Sequence, residues 1–450
     1  MTDRDALYAA ILAHPDEDTP RLLYADWLEE NGQAQAAKYV RAACELARLD
    51  EDDPSLAAFP TEAPAFWSDI EPDVAHRQAL AAVGLPRDHE STELARFPKL
   101  DGVHTHKIVL TAETISPFSR GFVERATFDT VADFVRHADI VFRAVPIREL
   151  VIRAPDPEGL KQVASSRWFP QIRTVTLESG TRHHVGSQSI KALSNSGSIE
   201  NLRSITLDYA HQDCLLAFSR DREWEGLRHL TVGRWDRDDD APDADEQLIE
   251  LFNAKHLRGL KSLELNRIQF ESNEAFKAIS DAHLPELRSL LFRCERSGLG
   301  SAVARAKHMR KLRVFTVENS FLKGSEIANV ICSANLPNLA VLNLPENGFN
   351  GFSKNIFRTT RGKALRQLAI SGDRVTIRWE PLFRWLAQSS VASFALGGSA
   401  VQPKPDAGAM NALMKCGEFP NLRRIEMRKE MLSATLKKHF GPRLREWSRY

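Results

Sequence analysis

At 450 residues the chain exceeds what one ordinary hydrophobic core organises, so several domains or one repetitive array are expected. Its 43% hydrophobic and 27% charged residues are those of a soluble protein, and no apolar run is long enough to span a bilayer. The net charge of zero hides a segregation: residues 1–120 hold 22 acidic against 11 basic side chains, and residues 296–450 hold 26 basic against 10 acidic.

The N-terminal "MTDRDALYAAILAHPDEDTP" is acidic and its apolar run is broken, unlike a secretory signal. Three short helices are predicted within residues 1–50. "RDALYAAILAH" places Leu7, Ala10, Ile11 and Leu12 on one side, and "TPRLLYADWLEENG" offers Thr19 as N-cap, Pro20 at the first helical place and Gly32 as stop. "AQAAKYVRAACELARL" puts Tyr39, Val40, Ala43, Leu46 and Leu49 on a third apolar side. The junction is expected to bury Leu23, Trp27 and Leu28, leaving Asp26 and Glu30 on the solvated side. No histidine or nucleophile accompanies the acids of "YADWLEE", so this stretch is read as structural. Residues 51–120 read as a connector and N-terminal cap, with Phe66 and Trp67 as anchors and a short helix in "VAHRQALAAVGLP".

From about residue 121 one phrase recurs: apolar, two residues, apolar, one residue, apolar. It runs from Val123/Ala126/Phe128 and Ile147/Leu150/Ile152 through Leu260/Leu263/Leu265 to Leu422/Ile425/Met427. The last apolar-x-apolar pair has the period of a short strand. Between strands lie amphipathic stretches such as "DEQLIELFNAKHL" and "GSEIANVICSANLPNL", the latter with Ile327, Val330, Ile331 and Leu336 at helical spacing. A strand and a helix every ~26 residues cannot bury their apolar faces alone; stacked, they form a solenoid with a parallel sheet inside and helices outside. The expected fold class is therefore α/β, a repeat solenoid over 121–430 with a C-terminal cap over 431–450, preceded by a small all-α domain over 1–50.

The phrase resembles the leucine-rich repeat, and its step length resembles the ribonuclease-inhibitor-like class. "LPNLAVLNLPENGF" matches best, with Leu339, Leu342, Leu344 and Asn347 filling L-x-x-L-x-L-x-x-N; elsewhere the Asn place holds Ala210, Ile268, Glu295 or Ser320. "HPDEDTPRLLYADWLEENG" followed by "CELARL" resembles the repeat-companion domain of bacterial paralogue sets. That resemblance implies a bacterial, intracellular repeat protein and no reaction.

Nothing in the sequence points to catalysis. GxxxxGK, GxGxxG, HExxH and GxSxG are absent, and the pair His183–His184 and the "HTHK" at His104–Lys107 lack companion ligands or a nucleophile. Five scattered cysteines, Cys44, Cys214, Cys294, Cys332 and Cys416, give neither a zinc nor a disulfide framework. The acidic run Asp236 to Glu246 sits in the longest repeat and is expected to be a solvated insert after one strand. A basic residue follows the first apolar place in many repeats (Arg148, Arg173, Arg203, Arg228, Lys261, Arg288, Arg313, Arg366, Arg423), forming a row whose stems cover apolar surface. Outward strand positions are mixed and uncharged on balance, which suits protein recognition.

The expectation is a non-enzymatic cytoplasmic scaffold with no cofactor, metal or catalytic residue. It would bind a partner protein on the concave face through Thr176, Thr206, His229, Thr231, Glu264, Asn266, Asn343 and Gln367. The alternatives are nucleic-acid or polyanion binding through the basic C-terminal third, or regulation of another enzyme. No membrane association is expected, and the helical module over 1–50 is expected to be dispensable to the solenoid.

Overall fold

The computed structural model describes residues 2–48, 103–104, 118–119, 122–179, 185–195, 199–211, 213–236, 244–267, 270, 272–294, 297–347, 364–371, 379–397, 415, 418–427, 432 and 434–446. The expected connector with Phe66 and Trp67, the pair His183–His184, residues 105–107 and Cys416 lie outside them. The backbone divides into unit 1, Met1–Ala210, and unit 2, His211–Tyr450.

Unit 1 opens with three helices. Helix α1 (Asp3–Ala13) starts from a capping box, the Asp5 amide donating to Thr2 Oγ1 (3.3 Å) and the Thr2 amide to Asp5 Oδ2 (3.2 Å). Helix α2 (Thr19–Glu30) begins one residue earlier than expected. Asp18 is its N-cap, and Pro20 stands in the first turn, where a missing N–H leaves no bond unmade. Gly32, just past the end, takes φ +78°, the left-handed stop that favours glycine. Helix α3 (Ala34–Arg48) packs Ala37, Val40, Ala43 and Cys44 inward.

The junction of these helices departs from the sequence reading. Leu28 is buried, but Trp27 is half-buried and Leu23 is 51% exposed. Tyr24 and Arg21 take the interior places, both fully buried. The cause is a residue outside the module: Phe122 packs against Tyr8 and Tyr24, with ring centroids 6.1 and 5.7 Å away, and turns that side of α2 inward. Tyr8 Oη also donates to the Ala144 carbonyl (2.9 Å). The module and the start of the repeats therefore share one core.

The repeats of unit 1 supply β4 (Arg125–Phe128), β5 (Glu149–Arg153), β6 (Thr174–Glu178) and β7 (Ser204–His211), parallel and adjacent in chain order. The short strand β1 (Val103–His104) pairs antiparallel with β4, and β2 (Phe118–Ser119) with β3 (Phe122–Val123). Parallel neighbours require a crossover, supplied by α4 (Val131–Ala144), α5 (Pro157–Ala164) and α6 (Ser187–Ser194). Thr130 and Asp156 cap the first two through their side chains. The three apolar places are buried in the phrases Ile147/Leu150/Ile152, Ile172/Val175/Leu177 and Leu202/Ile205/Leu207, each side chain worth about 1.5–3 kcal/mol on transfer from water.

Unit 2 continues the pattern with β8 (His229–Asp236), β9 (Ser262–Asn266), β10 (Ser289–Arg293), β11 (Val314–Glu318), β12 (Val341–Leu344), β13 (Gln367–Ser371), β14 (Ser393–Gly397), β15 (Arg424–Met427) and β16 (Leu444–Glu446). These are parallel and in chain order. Helices follow at Cys214–Arg220, Ala244–Asn253, Asn273–Asp281, Leu299–Arg305, Gly324–Ile331, Trp379–Gln388 and Ala434–Phe440. The architecture is an α/β leucine-rich-repeat solenoid. Asn347 carries its signature. Its Oδ1 accepts from the Ser320 amide (2.9 Å), and its Nδ2 donates to the Val317 (2.6 Å) and Pro345 (2.9 Å) carbonyls. Ser320 fills the same place one repeat earlier, its hydroxyl donating to the Cys294 carbonyl.

Part of the acidic run is not insert. Strand β8 reaches Asp236, a helix resumes at Ala244, and Asp245 is buried with its Oδ2 accepting from the Ser272 amide (2.7 Å). Residues 237–243 lie outside the described ones.

Candidate protein-binding surfaces

On the sheet face opposite the helices, side chains come from alternate strand positions in register across neighbouring strands. In unit 1 the register aligns Thr174 with Ser204 and Thr176 with Thr206, all half-exposed hydroxyls. At the far end of these strands Arg153 ties Asp129 (3.0 Å) and Glu178 (2.9 Å) together. Asp208 stands exposed beyond Glu178. Partial desolvation, and then the Glu178 charge, raise its carboxyl above the usual range.

In unit 2, His229 aligns with Ser262 and Thr231 with Glu264, all half-exposed. Asn266 donates through Nδ2 to Glu264 Oε1 (2.9 Å), which orients that carboxylate along the strand. From β10 onward the middle position of the face closes: Leu291, Thr316, Asn343, Ala369, Ala395 and Glu426 are all buried. Asn343, expected as a contact residue, is 3% exposed, and its Oδ1 accepts from Gln367 Nε2 (3.4 Å). It is withdrawn from the candidate surface because a side chain without accessible area cannot meet a partner. Gln367 remains half-exposed at its strand's start. Burial raises the Glu426 carboxyl, against the opposing pull of Arg424 beside it.

The basic row also has a structure the sequence did not reveal. Its members share a backbone ladder, the Arg288 amide donating to the Lys261 carbonyl (2.8 Å) and the Arg313 amide to that of Arg288 (2.8 Å). Several guanidinium groups fold back onto the 3-10 turn before their own strand. Arg173 Nη1 donates to the Pro170 carbonyl (3.0 Å), Arg203 Nη1 to that of Glu200 (2.7 Å) and Arg228 Nη1 to that of Glu225 (3.1 Å). They satisfy carbonyls that the short turn leaves unpaired.

In unit 1 two members of the row have an additional partner. The Asp16 carboxylate, on the loop between α1 and α2, pairs with both Arg148 and Arg173. Nearby, Arg21 Nη2 donates to Glu124 Oε1 (2.6 Å) and the Pro15 carbonyl (2.9 Å), and Nη1 to the Glu17 carbonyl (2.7 Å). Neither pairing was foreseen; the acidic loop "HPDEDT" beside a buried arginine was the available signal. Asp26, exposed as expected, and its neighbour Glu29 both pair with Arg41 (2.7 Å each).

No helix among the described residues is long and apolar enough to cross a membrane. No protein-family model matches the chain, and no curated protein matches it. Solved structures with a similar course include an internalin (inlF) from Listeria monocytogenes, 15% identical at a TM-score of 0.39 over 70% of this chain and 94% of that one. A structure of the Toll–Spatzle complex from Drosophila is 15% identical at a TM-score of 0.41, over 72% of this chain and 42% of that one. The fold assignment rests on strand order, register and the buried repeat phrase.

Proposed function

We propose that the protein is a non-enzymatic, cytoplasmic interaction scaffold of a bacterium that binds a partner protein on the exposed sheet faces of its repeats. The supporting observation is the open face of β8 and β9, where His229, Thr231, Ser262, Glu264 and Asn266 stand half-exposed on a hydrogen-bonded backbone. Such a surface carries donors and acceptors without a dominant sign of charge, which fits protein recognition better than phosphate binding. In unit 1, Thr176 and Thr206 offer a comparable hydroxyl face. The repeat-companion reading of residues 1–50 and the ribonuclease-inhibitor-like class belong to the same proposal.

The test is capture of partners with the intact chain and with two face variants, Thr231→Arg with Glu264→Arg, and Thr176→Arg with Thr206→Arg. A partner that is retained at several hundred millimolar salt and lost in one face variant supports the reading. A partner retained by both variants overturns the face assignment. The basic C-terminal third supports a second reading, polyanion binding, in which captured nucleic acid would dominate and disappear as salt rises.

A further inference from the structure

Three consecutive repeats of unit 2 approach their strands through related turns, "KHLRGLK" (255–261), "DAHLPELR" (281–288) and "KHMRKLR" (307–313). The backbone ladder puts Lys261, Arg288 and Arg313 in register, so residues at equal offsets before them fall into columns. One column is His256, His283 and His308. His256 Nε2 lies 2.8 Å from the Phe218 carbonyl, while the exposed rings of His283 and His308 meet at a 54° tilt with centroids 4.6 Å apart. Flanking columns hold Lys255 and Lys307, then Arg258 and Arg310, all exposed and without an ion pair among the described residues. The three turns carry eight Lys or Arg against two acids. Of those acids, Glu286 is held by both its oxygens to Lys311 Nζ (2.7 Å), and Asp281 ends a helix.

Unit 1 displays what such a row accepts. There Asp16, from an acidic loop, sits between Arg148 and Arg173, which occupy the same repeat position as Arg288 and Arg313. We propose that the turns 255–261, 281–288 and 307–313 form a docking edge for an acidic, Asp/Glu-rich segment of a partner protein, taken as the Asp16 loop is taken in unit 1. The proposal rests on the protein-binding reading above and places a second contact outside the sheet face.

The spacing favours a polypeptide. Equivalent residues two repeats apart are about 10 Å apart, at ~4.8 Å per strand, which matches carboxylates three residues apart on one side of a polyproline-II chain, with three residues per turn at ~3.1 Å each. Nucleic acid is the weaker candidate. Four exposed cations fall short of the roughly six to ten phosphate contacts that give strong salt-dependent binding, and the three turns contain no Phe, Tyr or Trp for bases to stack on.

The test uses the full chain, a fluorescent decaglutamate peptide and a single-stranded DNA of matched charge, at low and physiological salt. The fourfold variant Lys255→Glu, Arg258→Glu, Lys307→Glu and Arg310→Glu should bind decaglutamate at least about tenfold more weakly, the loss expected for several exposed ion pairs. At physiological salt, reversal of Lys437 and Lys438, also exposed, should leave binding within about twofold, because charges beyond a Debye length of ~8 Å are screened. Equal loss in the two reversals, or no decaglutamate binding at low salt, overturns the docking edge. Tighter binding of the DNA that is lost in the fourfold variant overturns it in favour of a nucleic-acid edge. If the reversed variant does not fold, the same four changes to glutamine carry the test, with a smaller loss in the same order. The charge-neutral face variant Thr231→Tyr with Ser262→Tyr, run in both partner capture and decaglutamate binding, should lose the partner and bind decaglutamate normally, so failure of the edge and failure of the face are read separately.

Discussion

Arg21 is fully buried and charged, held by Glu124 and two loop carbonyls with its guanidinium 5.6 Å from the Phe122 ring centre. Such a group is stable only while its partners remain. Arg21→Ala should therefore cost about 3–5 kcal/mol in urea unfolding of the intact chain, because it strips the buried Glu124 carboxylate of its 2.6 Å partner and leaves the more distant Arg148 at 3.9 Å. Arg21→Met with Glu124→Leu should recover most of that loss; a single variant within about 1 kcal/mol of wild type would contradict the assignment. Asp208 gives a pH prediction of opposite character. Its pKa is raised in the fold, so the folded state disfavours the ionised form. The cost is present above the folded pKa and vanishes below the unfolded value, where both states are protonated. Asp208→Asn should raise the melting temperature near pH 7 and lose that advantage below pH ~4, the ordinary aspartate value. An equal gain at both pH values would assign the effect to something other than charge.

At the scale of elements, Asn347 shows how a repeat is joined to its neighbours. It reaches back to Val317 and Ser320, and its own amide donates to the Ser371 carbonyl (2.8 Å) one repeat onward. Asn347→Ala leaves these groups buried without side-chain partners and should cost about 2–4 kcal/mol by chemical denaturation. Asn347→Asp should cost at least as much, because it keeps the acceptor for the Ser320 amide but sets a buried carboxylate against the Val317 and Pro345 carbonyls. The helical module makes a second element-scale prediction. Tyr8, Tyr24 and Phe122 form one cluster, and Glu124 depends on Arg21, so residues 1–50 complete the first repeat. Deleting them should bare Phe122, take Arg21 away from the buried Glu124 and yield an aggregating chain by light scattering. A monomeric, cooperatively melting 51–450 fragment would restore the separable module read from the sequence.

At the scale of the whole chain, charge is segregated: the first 120 residues are acidic and the last 155 basic. Summed fields of this kind change encounter rates and weak binding more than fold. Non-specific DNA binding by the intact protein should be micromolar or weaker, on the order of 10⁻⁶ M, and should fall steeply with salt. Protein binding through the half-exposed polar faces should depend on salt far less. Filter binding across a salt series checks the first, and partner retention across the same series checks the second. DNA binding that persisted at several hundred millimolar salt would make polyanion recognition the primary activity.

The repeat was legible because its physics is local. Each phrase must bury its three apolar places against the next, so period, strand position and helix position are all written in the order of residues, down to Asn347. The open polar positions at Thr176, Thr206, Thr231 and Glu264 followed from strand alternation alone. What the sequence did not decide came from contacts between distant segments. Leu23 was expected inside because it is apolar, but Phe122 turned Tyr24 and Arg21 inward instead. Asn343 obeyed the alternation and was still buried, because accessibility depends on what else packs over a face, which no periodicity encodes. Asp16 looked like one acid in a solvated loop until the fold set it between Arg148 and Arg173. Local pattern fixes which side a residue faces; only tertiary packing determines whether that side meets water, a carbonyl or an opposite charge.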